Sequence, residues 1–333
     1  MKKVIEKNER IFIAGSNGMV GSSIKRALLK NPFNQPNYFS NMLVPSRLEL
    51  DLLDSISVKN WFMREKPNIV ILAAAKVGGI HANSKYPKEF LLENIKIQTN
   101  VIEAALAEGV RRLLFLGSSC IYPKFSEQPI KEESLLAGPL EKTNEYYAIA
   151  KIAGIKLCES LRKQFNFDAI CLMPTNLYGP GDNYHPENSH VMASLIKKFC
   201  DAEKNSSEYV TCWGTGSPLR EFLHVEDLGD AVVFALEKWD PVSNNSPKIN
   251  SIENLIYLNV GTGLDITIKD LSKKIAIASG FKGDILWDKS KPDGTPKKQL
   301  DITRFKKMGW KPKISLDEGI KDTIKKYKLK NLI

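Results

Sequence analysis

At 333 residues, the chain is long enough for one large domain and a smaller lobe, and its apolar fraction of 43% is ordinary for a globular protein. No apolar run is long enough to span a bilayer, charged residues follow Met1, and five scattered cysteines lack metal-ligand spacing. We therefore expect a cytoplasmic protein with reduced thiols, no signal peptide and no metal site. The net charge of +10 is attributed to a lysine-rich surface in which a few cations serve a small anionic ligand, because no motif indicates nucleic acid.

The first half of the chain alternates short, β-rich apolar runs with helical patterns. Strands are predicted at 11–14, 42–44, 69–73, 113–116 and 169–173. Helices are predicted between them at 20–29, 55–66, 87–108 and 144–165. This alternation favours an α/β fold, a Rossmann-type doubly wound parallel sheet that helices cover on both faces.

The second half is less regular and predicts a smaller α/β lobe. Helices are predicted at 190–203, 225–238, 268–279 and 316–329, and strands at 209–213, 222–224 and 255–260. Residues 240–254 are rich in Ser, Asn and Pro and indicate a surface insertion.

A glycine loop follows the first predicted strand and opens a helix. Gly15, Gly18 and Gly21 have the spacing GxxGxxG, which lets the backbone approach a pyrophosphate at the helix N-terminus. A glycine-rich turn without a ligand is the alternative. Arg47 follows the second strand, where an acidic residue would select NAD, and its charge suits a 2′-phosphate, so NADP(H) is favoured. Asp51 is placed to meet the adenine edge.

A candidate reduction centre combines the end of the fourth strand with the helix at 144–165. Tyr147 and Lys151 are four residues apart and share a helix face, so a lysine ammonium there would ease formation of the phenolate. Alone, this spacing is weak evidence. Ser118 lies where ligands bind in such sheets, and together the three residues indicate a nicotinamide-dependent oxidoreductase.

Two further residues are candidates for proton transfer. Cys120 lies two residues beyond Ser118, so its thiolate is a candidate base, whereas Cys158 and Cys171 are expected to fill the core. His190 opens a helix after the fifth strand and can donate or accept a proton. A solvated bystander is the alternative for a histidine in this loop.

Five segments resemble the GDP-L-fucose synthase family, which consists of extended short-chain dehydrogenase/reductases. They are FLGSSCIYPK at 115–124, YAIAKIAGIKLC at 147–158, MPTNLYGP at 173–180, HPENSH at 185–190 and REFLH at 220–224. The resemblance implies NADPH-dependent conversion of GDP-4-keto-6-deoxy-D-mannose to GDP-L-fucose, by epimerisation at C3 and C5 and then reduction at C4. It also implies a homodimer formed through the helices at 87–108 and 144–165.

The resemblance assigns roles to the candidate residues. Cys120 and His190 would exchange protons at C3 and C5, Tyr147 would protonate the C4 oxygen, and Ser118 would orient it, while Lys151 lowers the tyrosine pKa and holds the nicotinamide ribose. Cofactor contacts are expected at Gly15, Asn17, Gly18, Met19, Val20, Gly21, Arg47, Asp51, Ala74, Ala75, Lys151, Pro174, Asn176, Leu177 and His190. Substrate contacts are expected at Asn176, Val191, Lys198, Trp213, Arg220, Asp293 and Lys298.

The predicted division assigns residues 1–180 and 223–262 to an NADP-binding Rossmann domain and residues 181–222 and 263–333 to a GDP-sugar lobe. Three features depart from the family pattern: Asn17 and Lys198 stand where arginine is familiar, and the insertion at 240–254 is long. None of them removes a catalytic group.

Competing functions differ in the residues that they require. A sugar-nucleotide dehydratase would need a carboxylate just after Ser118, and a simple 4-epimerase would not need Cys120 and His190 together. An NADP-sensing regulator would be expected to lose Tyr147 or Lys151. The main alternative is a relative that only reduces C4 of a GDP-4-keto heptose, since one extra carbon needs only a slightly larger pocket.

Overall fold

A computed structural model describes residues 8–30, 41–249, 253–291 and 293–330 of the chain. Within these ranges, six parallel strands form a central sheet in the order β11-β5-β4-β3-β1-β2. Their bounds are β1 Ile11–Ala14, β2 Met42–Leu43, β3 Ile69–Leu72, β4 Arg112–Leu116, β5 Ala169–Pro174 and β11 Tyr257–Val260. Apart from the edge strand β2, all residues of these strands are buried, which explains their largely apolar sequences; Arg112 in β4 and Asn259 in β11 are the polar exceptions.

Helices cover both faces of this sheet. One layer pairs α1 (Met19–Lys30) with α7 (Val225–Lys238), and the other contains α2 (Ser55–Glu65), α4 (Pro87–Ala107) and α5 (Glu145–Phe165). Right-handed crossovers explain the two layers, because the chain moves outward from β1 to β2 and then back across β1 to β3. The predicted α/β Rossmann fold is confirmed.

Several short elements were not predicted. They are α3 Ile80–Lys85, β6 Asn176–Tyr178, β12 Asp265–Thr267, β13 Asp284–Asp288, β14 Lys297–Lys298 and α9 Thr303–Lys307. Elements of two to six residues carry too few side chains to show a periodic pattern. Strand β8, at Leu219–His224, begins earlier than expected because its first residues pair with β12 and β14.

A second hydrophobic cluster packs beside the sheet core in the described part of the chain. It contains the inward faces of α6 (Val191–Lys204), α8 (Ile268–Ser279) and α10 (Leu316–Lys330), with side chains from β7 (Tyr209–Trp213) and β8. Leu300, Phe305 and Trp310 lie in the sheet core, although they follow the second lobe's strands in the chain. The two clusters are thus interleaved along the chain, and the predicted domain boundaries stay a prediction.

The insertion at 240–254 forms a short antiparallel pair, β9 Lys248–Ile249 with β10 Glu253–Asn254. Residues 250–252 of the insertion lie outside the described residues. Trp239, immediately before it, is completely buried, and its indole N–H donates to Ser246 Oγ at 3.3 Å. Among the described helices, none has the length and apolar character needed to cross a membrane.

Candidate active site

The candidate residues gather at the carboxyl edge of the central sheet. The glycine loop follows β1, Ala74 and Ala75 follow β3, and Ser118 and Cys120 follow β4. Pro174 is the last residue of β5. Ligands bind at this edge in doubly wound sheets, since the strand ends and helix N-termini converge there.

Two positions of the glycine loop, Gly15 and Gly21, are packed too closely to hold a side chain. Gly15 has φ +84°, and a Cβ there would lie 2.8 Å from the Ala74 backbone. A Cβ on Gly21 would lie 2.1 Å from the Gly15 carbonyl oxygen, which also accepts the Gly18 N–H at 3.0 Å. The loop therefore brings the N-terminus of α1 against the strand edge, which is the geometry that binds a pyrophosphate. Asn17 is exposed, and Met19 and Val20 form the partly exposed first turn of α1.

Arg47 and Asp51 lie in an exposed turn after β2. Glu49, the acid between them, accepts the Ser46 N–H at 2.7 Å, and this hydrogen bond lowers the pKa of its carboxyl. The Asp51 carboxylate accepts the Leu53 N–H at 3.1 Å. Arg47 is exposed, so its guanidinium faces solvent beside these locally engaged acids.

Ser118, Tyr147 and Lys151 are brought together by the packing of α5 along β4. The Ser118 side chain hydrogen-bonds the Tyr147 hydroxyl and accepts the Cys120 N–H at 3.2 Å. Lys151 is 3% exposed; its Nζ donates to the Leu116 carbonyl at 2.8 Å and lies 5.9 Å from the centroid of the Tyr147 ring. The three predicted residues form one cluster.

Burial dominates the acid–base properties of this cluster. Burial and the charge of Cys120 raise the pKa of Tyr147, and the Ser118 hydrogen bond lowers it only in part. Burial also lowers the pKa of Lys151 to about 7. The expected lowering of the tyrosine pKa by Lys151 is therefore not what sets it in this structure. Tyr147 is protonated at neutral pH, as a proton donor must be.

Cys120 differs from the other cysteines. Its side chain is half-buried, whereas Cys158, Cys171, Cys200 and Cys212 are buried and free. Among the described residues, two N–H donors contact its sulfur: Asn144 Nδ2 at 3.2 Å and Lys298 Nζ at 3.5 Å. The sulfur thus lies among polar groups beside the reduction centre, and Cys158 and Cys171 fill the core as expected.

His190 occupies the N-cap position of α6, without a capping hydrogen bond from its side chain. The preceding loop is held against Gly79, whose N–H donates to the Asn188 carbonyl at 3.0 Å and whose Cβ position lies 2.4 Å from the Ser189 carbonyl oxygen. The imidazole keeps solvent access, but crowding by protein atoms lowers its pKa below the ordinary value. Its protonated form is therefore a stronger acid than a free histidine.

Lys198 and Trp213 form one end of the predicted substrate region. The Trp213 indole is 52% exposed, and the Nζ atoms of Lys198 and Lys291 lie 5.3 and 5.6 Å from its ring centroid. Lys198 also donates to the Thr211 carbonyl at 2.9 Å, and burial lowers its pKa. Lys291 was not predicted, because an isolated surface lysine carries no sequence signal.

Arg220 connects this region to the thiol. Burial lowers the pKa of its guanidinium, and the nearby charges of Cys120, Glu141 and Asp293 raise it. The Asp293 carboxylate accepts the backbone and hydroxyl groups of Thr215, at 2.7 and 2.9 Å, so it orders the loop after Trp213. Glu141, a further missed residue, pairs with Lys124 at 2.9 Å.

The remaining predicted contacts vary in accessibility. Pro174 is buried, Leu177 packs on the sheet core and Val191 packs on the second cluster. Asn176 donates its amide N–H to the Glu221 carbonyl at 2.8 Å, so this donor is engaged in joining β6 to β8. Asn144 was also missed, although it lies three residues before Tyr147 on the same helix edge.

A family model described as the NAD dependent epimerase/dehydratase family matches residues 11–250. The chain is 52% identical to the probable GDP-L-fucose synthase 1 of Oryza sativa subsp. japonica, over 97% of this chain and 93% of that relative. It is 49% identical to the GDP-L-fucose synthase of Escherichia coli (strain K12), over 95% of each chain. Among solved structures, a GDP-6-OMe-4-keto-L-xylo-heptose reductase from C. jejuni is 32% identical with a TM-score of 0.89, covering 98% of this chain and 99% of that chain.

The glycine loop and the Ser118, Tyr147 and Lys151 cluster agree with these matches, and together they identify a nicotinamide-dependent oxidoreductase. The chain belongs to the NAD dependent epimerase/dehydratase family, and within it to the group of the GDP-L-fucose synthases.

Proposed function

We propose that the protein is an NADPH-dependent 3,5-epimerase and 4-reductase that converts GDP-4-keto-6-deoxy-D-mannose to GDP-L-fucose. The single observation that carries this proposal is the position of Cys120. The backbone N–H of Cys120 donates to the side-chain oxygen of Ser118, and that oxygen also hydrogen-bonds the Tyr147 hydroxyl. The Cys120 thiol therefore lies beside the reduction centre. Reduction alone has no use for a second acid–base group there. Identities of 52% and 49% to proteins named GDP-L-fucose synthase support the same substrate.

Epimerisation depends on the C4 ketone, which acidifies the hydrogens at C3 and C5. The Cys120 thiolate removes a proton, and the electron pair moves to the C4 oxygen as an enolate. His190 returns a proton to the carbon from the other side. Burial lowers the pKa of His190, so the protonated ring is a stronger acid than a free histidine.

Reduction depends on Ser118, Tyr147 and Lys151. When bound, NADPH supplies the hydride for C4. Burial keeps Tyr147 protonated, so its phenol can donate to the developing alkoxide while Ser118 orients the keto oxygen. Lys151 would hold the nicotinamide ribose and, when protonated, would place positive charge near the tyrosine; burial lowers its pKa to about 7.

The choice of NADP(H) rests on the turn after β2. The pyrophosphate would lie at the N-terminus of α1, against the glycine positions that admit no Cβ. The exposed guanidinium of Arg47 would meet the 2′-phosphate, while Glu49 is already engaged by the Ser46 N–H. A free acid at this turn would instead favour a 2′-hydroxyl.

The GDP half would be held by the cations around Trp213. The Nζ atoms of Lys198 and Lys291 lie 5.3 and 5.6 Å from the centroid of the indole, where they would neutralise a diphosphate, and the exposed part of the ring offers an apolar surface for the nucleotide. Asp293 shapes the loop after Trp213 through its bonds to Thr215. Most of the predicted substrate contacts, together with Lys291, would thus bind the GDP half of the substrate.

We also propose a cytoplasmic homodimer formed through α4 and α5. The two helices pack against each other and expose Leu92, Tyr146 and Ile149 on their outer surface, at 41%, 42% and 45%. Burying these side chains against a second copy would stabilise a four-helix interface. Sedimentation equilibrium should give twice the chain mass of 37.4 kDa, and the single mass would contradict the dimer.

A second candidate function is C4 reduction of a GDP-4-keto heptose, which the likeness to the C. jejuni heptose reductase favours. The test supplies each GDP-4-keto sugar to the protein in heavy water without NADPH, and then with it. We expect deuterium at C3 and C5 of the hexose, followed by GDP-L-fucose, both identified by NMR. Turnover of the heptose alone, without exchange, would establish the second candidate instead.

A further inference from the structure

Lys298 was expected to bind the GDP diphosphate, but its ammonium contacts the Cys120 sulfur at 3.5 Å. Strand β14 pairs in parallel with β8 and aligns Lys298 with Arg220, so two cations share the side of the strands that faces the thiol. The preceding lysine, Lys297, points elsewhere and pairs with Asp265 at 3.2 Å. The strand thus directs one of its two lysines to the sulfur.

Asn144 supplies the second N–H donor to the Cys120 sulfur, and its side chain does not cap the helix that it begins. Asparagine at an N-cap ordinarily bonds the first turn, which stabilises a helix by about 1 kcal/mol. At the start of α5 no such bond forms; Nδ2 lies 3.2 Å from the Cys120 sulfur. Its Oδ1 is buried without a partner among the described residues, although an unpaired buried carbonyl costs about 1–3 kcal/mol. Such an orientation is typical of a functional group.

We propose that Lys298 and Asn144 are positioning residues that hold the Cys120 sulfur as a thiolate, ready to act as the base of the epimerisation. A neutral thiol is a weak hydrogen-bond acceptor, whereas a thiolate is stabilised by an ammonium and by N–H donors at this distance. The proposal rests on the proposed epimerase activity, and it gives Lys298 a role other than diphosphate binding.

The proton transfer leaves both residues chemically unchanged. The C3–H or C5–H bond of the keto sugar breaks, an S–H bond forms on Cys120, and the electron pair passes to the C4 oxygen. Lys298 and Asn144 keep their own protons throughout. They act through the sulfur, by raising the fraction that is thiolate before the substrate arrives and by fixing its direction.

The first experiment measures thiolate reactivity directly. Unmodified protein and variants are treated with iodoacetamide at pH 7, and the alkylation rate of Cys120 is followed by peptide mass spectrometry; the four buried cysteines serve as internal references. We expect Lys298→Met to slow Cys120 alkylation about tenfold, Asn144→Ala about threefold, and Lys298→Arg to retain most of the rate.

Lys297→Met is the matched control, because it removes the neighbouring cation on the same strand without touching the sulfur. It should alkylate at the unmodified rate. Circular dichroism checks that each variant is folded. If folded Lys298→Met and Asn144→Ala both alkylate as fast as the unmodified protein, the proposal is overturned.

The second experiment separates the two roles of Lys298. For deuterium exchange into the keto sugar without NADPH, loss of a positioning residue lowers kcat about tenfold and leaves KM unchanged, whereas loss of a diphosphate ligand raises KM. Raised KM with unchanged alkylation would overturn the proposal. If unmodified protein shows no exchange at all, the proposed epimerase function fails, and the alkylation result still decides whether Lys298 stabilises the thiolate.

Discussion

The two halves of the proposed active site are built differently. Ser118, Tyr147 and Lys151 come from the end of β4 and from α5, which pack directly against each other in the sheet core. Cys120 shares this location, but of the two described donors that contact its sulfur only Asn144 comes from the start of α5, whereas Lys298 comes from the distant strand β14. The proposed reduction centre is therefore a property of the Rossmann sheet, whereas the proposed proton-exchange centre also requires β14, which pairs with β8, and α6, whose N-cap residue is His190.

Glu221 connects the two regions. This completely buried carboxylate accepts the N–H groups of Thr262 and Gly263 through Oε1, at 2.6 and 2.8 Å, and that of Leu300 through Oε2 at 2.7 Å. Leu300 lies two residues beyond Lys298, so this carboxylate fixes the strand that brings the lysine to the thiol. The proposed proton-exchange centre thus depends on a buried polar link that the proposed reduction centre does not use.

The largest effect is expected for Tyr147→Phe, which removes the proton donor and keeps the ring. Reduction at C4 should fall by about 10²–10⁴-fold, the range for a positioned acid. Deuterium exchange at C3 and C5 without NADPH should persist, because Cys120 and His190 are intact. NADPH oxidation and NMR of the sugar measure the two reactions. Near-normal NADPH oxidation by this variant would refute the assignment of Tyr147.

The complementary change is Cys120→Ser, which replaces the thiolate by a hydroxyl that ionises far less readily. Exchange at C3 and C5 should fall by about 10²-fold. A sugar that is already epimerised should still be reduced, because Tyr147 and Lys151 are unaffected. His190→Asn should also impair exchange and spare reduction. Equal losses of both reactions would show that the two centres are not separable.

Arg47→Ala tests only the preference for NADPH over NADH. Loss of a charge-assisted contact to the 2′-phosphate should raise KM for NADPH by about 10- to 100-fold and erode its preference over NADH. Exchange without cofactor should be unchanged, since Arg47 lies in the turn after β2. Initial rates with both cofactors provide the measurement. Equal efficiency with NADPH and NADH in the unmodified protein would contradict the NADP assignment.

The smallest effect is expected at Asp182, in the loop that leads to His190. Its Oδ2 is buried without a partner among the described residues, and burial raises the pKa of the carboxyl from 3.8 to about 7. The protonated form is favoured by folding, so this contribution to stability is fully present below a pH of 3.8 and is lost progressively as the pH rises to about 7.

Asp182→Asn mimics the protonated form at every pH. Relative to the unmodified protein, its Tm should therefore rise by about 2 °C at pH 8 and by less at pH 5, after allowance for partial solvent exposure. Calorimetry at the two pH values checks this. A gain at pH 5 that equals the gain at pH 8 would show that ionisation is not the cause.

Much of the Rossmann sheet and of the reduction centre on it was predictable from sequence. Fully buried parallel strands appear as apolar runs, and β1, β3, β4 and β5 were predicted to within two residues at each end. The glycine spacing is required by local packing, as the Gly15 and Gly21 positions demonstrate. Ser118 and Tyr147 could be predicted because each belongs to a local sequence pattern. Ser118 follows the end of a strand, and Tyr147 lies four residues before Lys151 on a helix.

The surroundings of Cys120 were decided by tertiary structure. Lys298 reaches the sulfur through the pairing of a two-residue strand, and so short an element has no periodicity to detect. The pKa of Tyr147 and that of Lys151 follow from burial, which no sequence spacing reveals. Sequence by itself thus predicted the fold, which the structure confirms, and the candidate reacting groups, which stay a prediction. Their charge and orientation depend on which distant segments surround them, and only packing in three dimensions sets that.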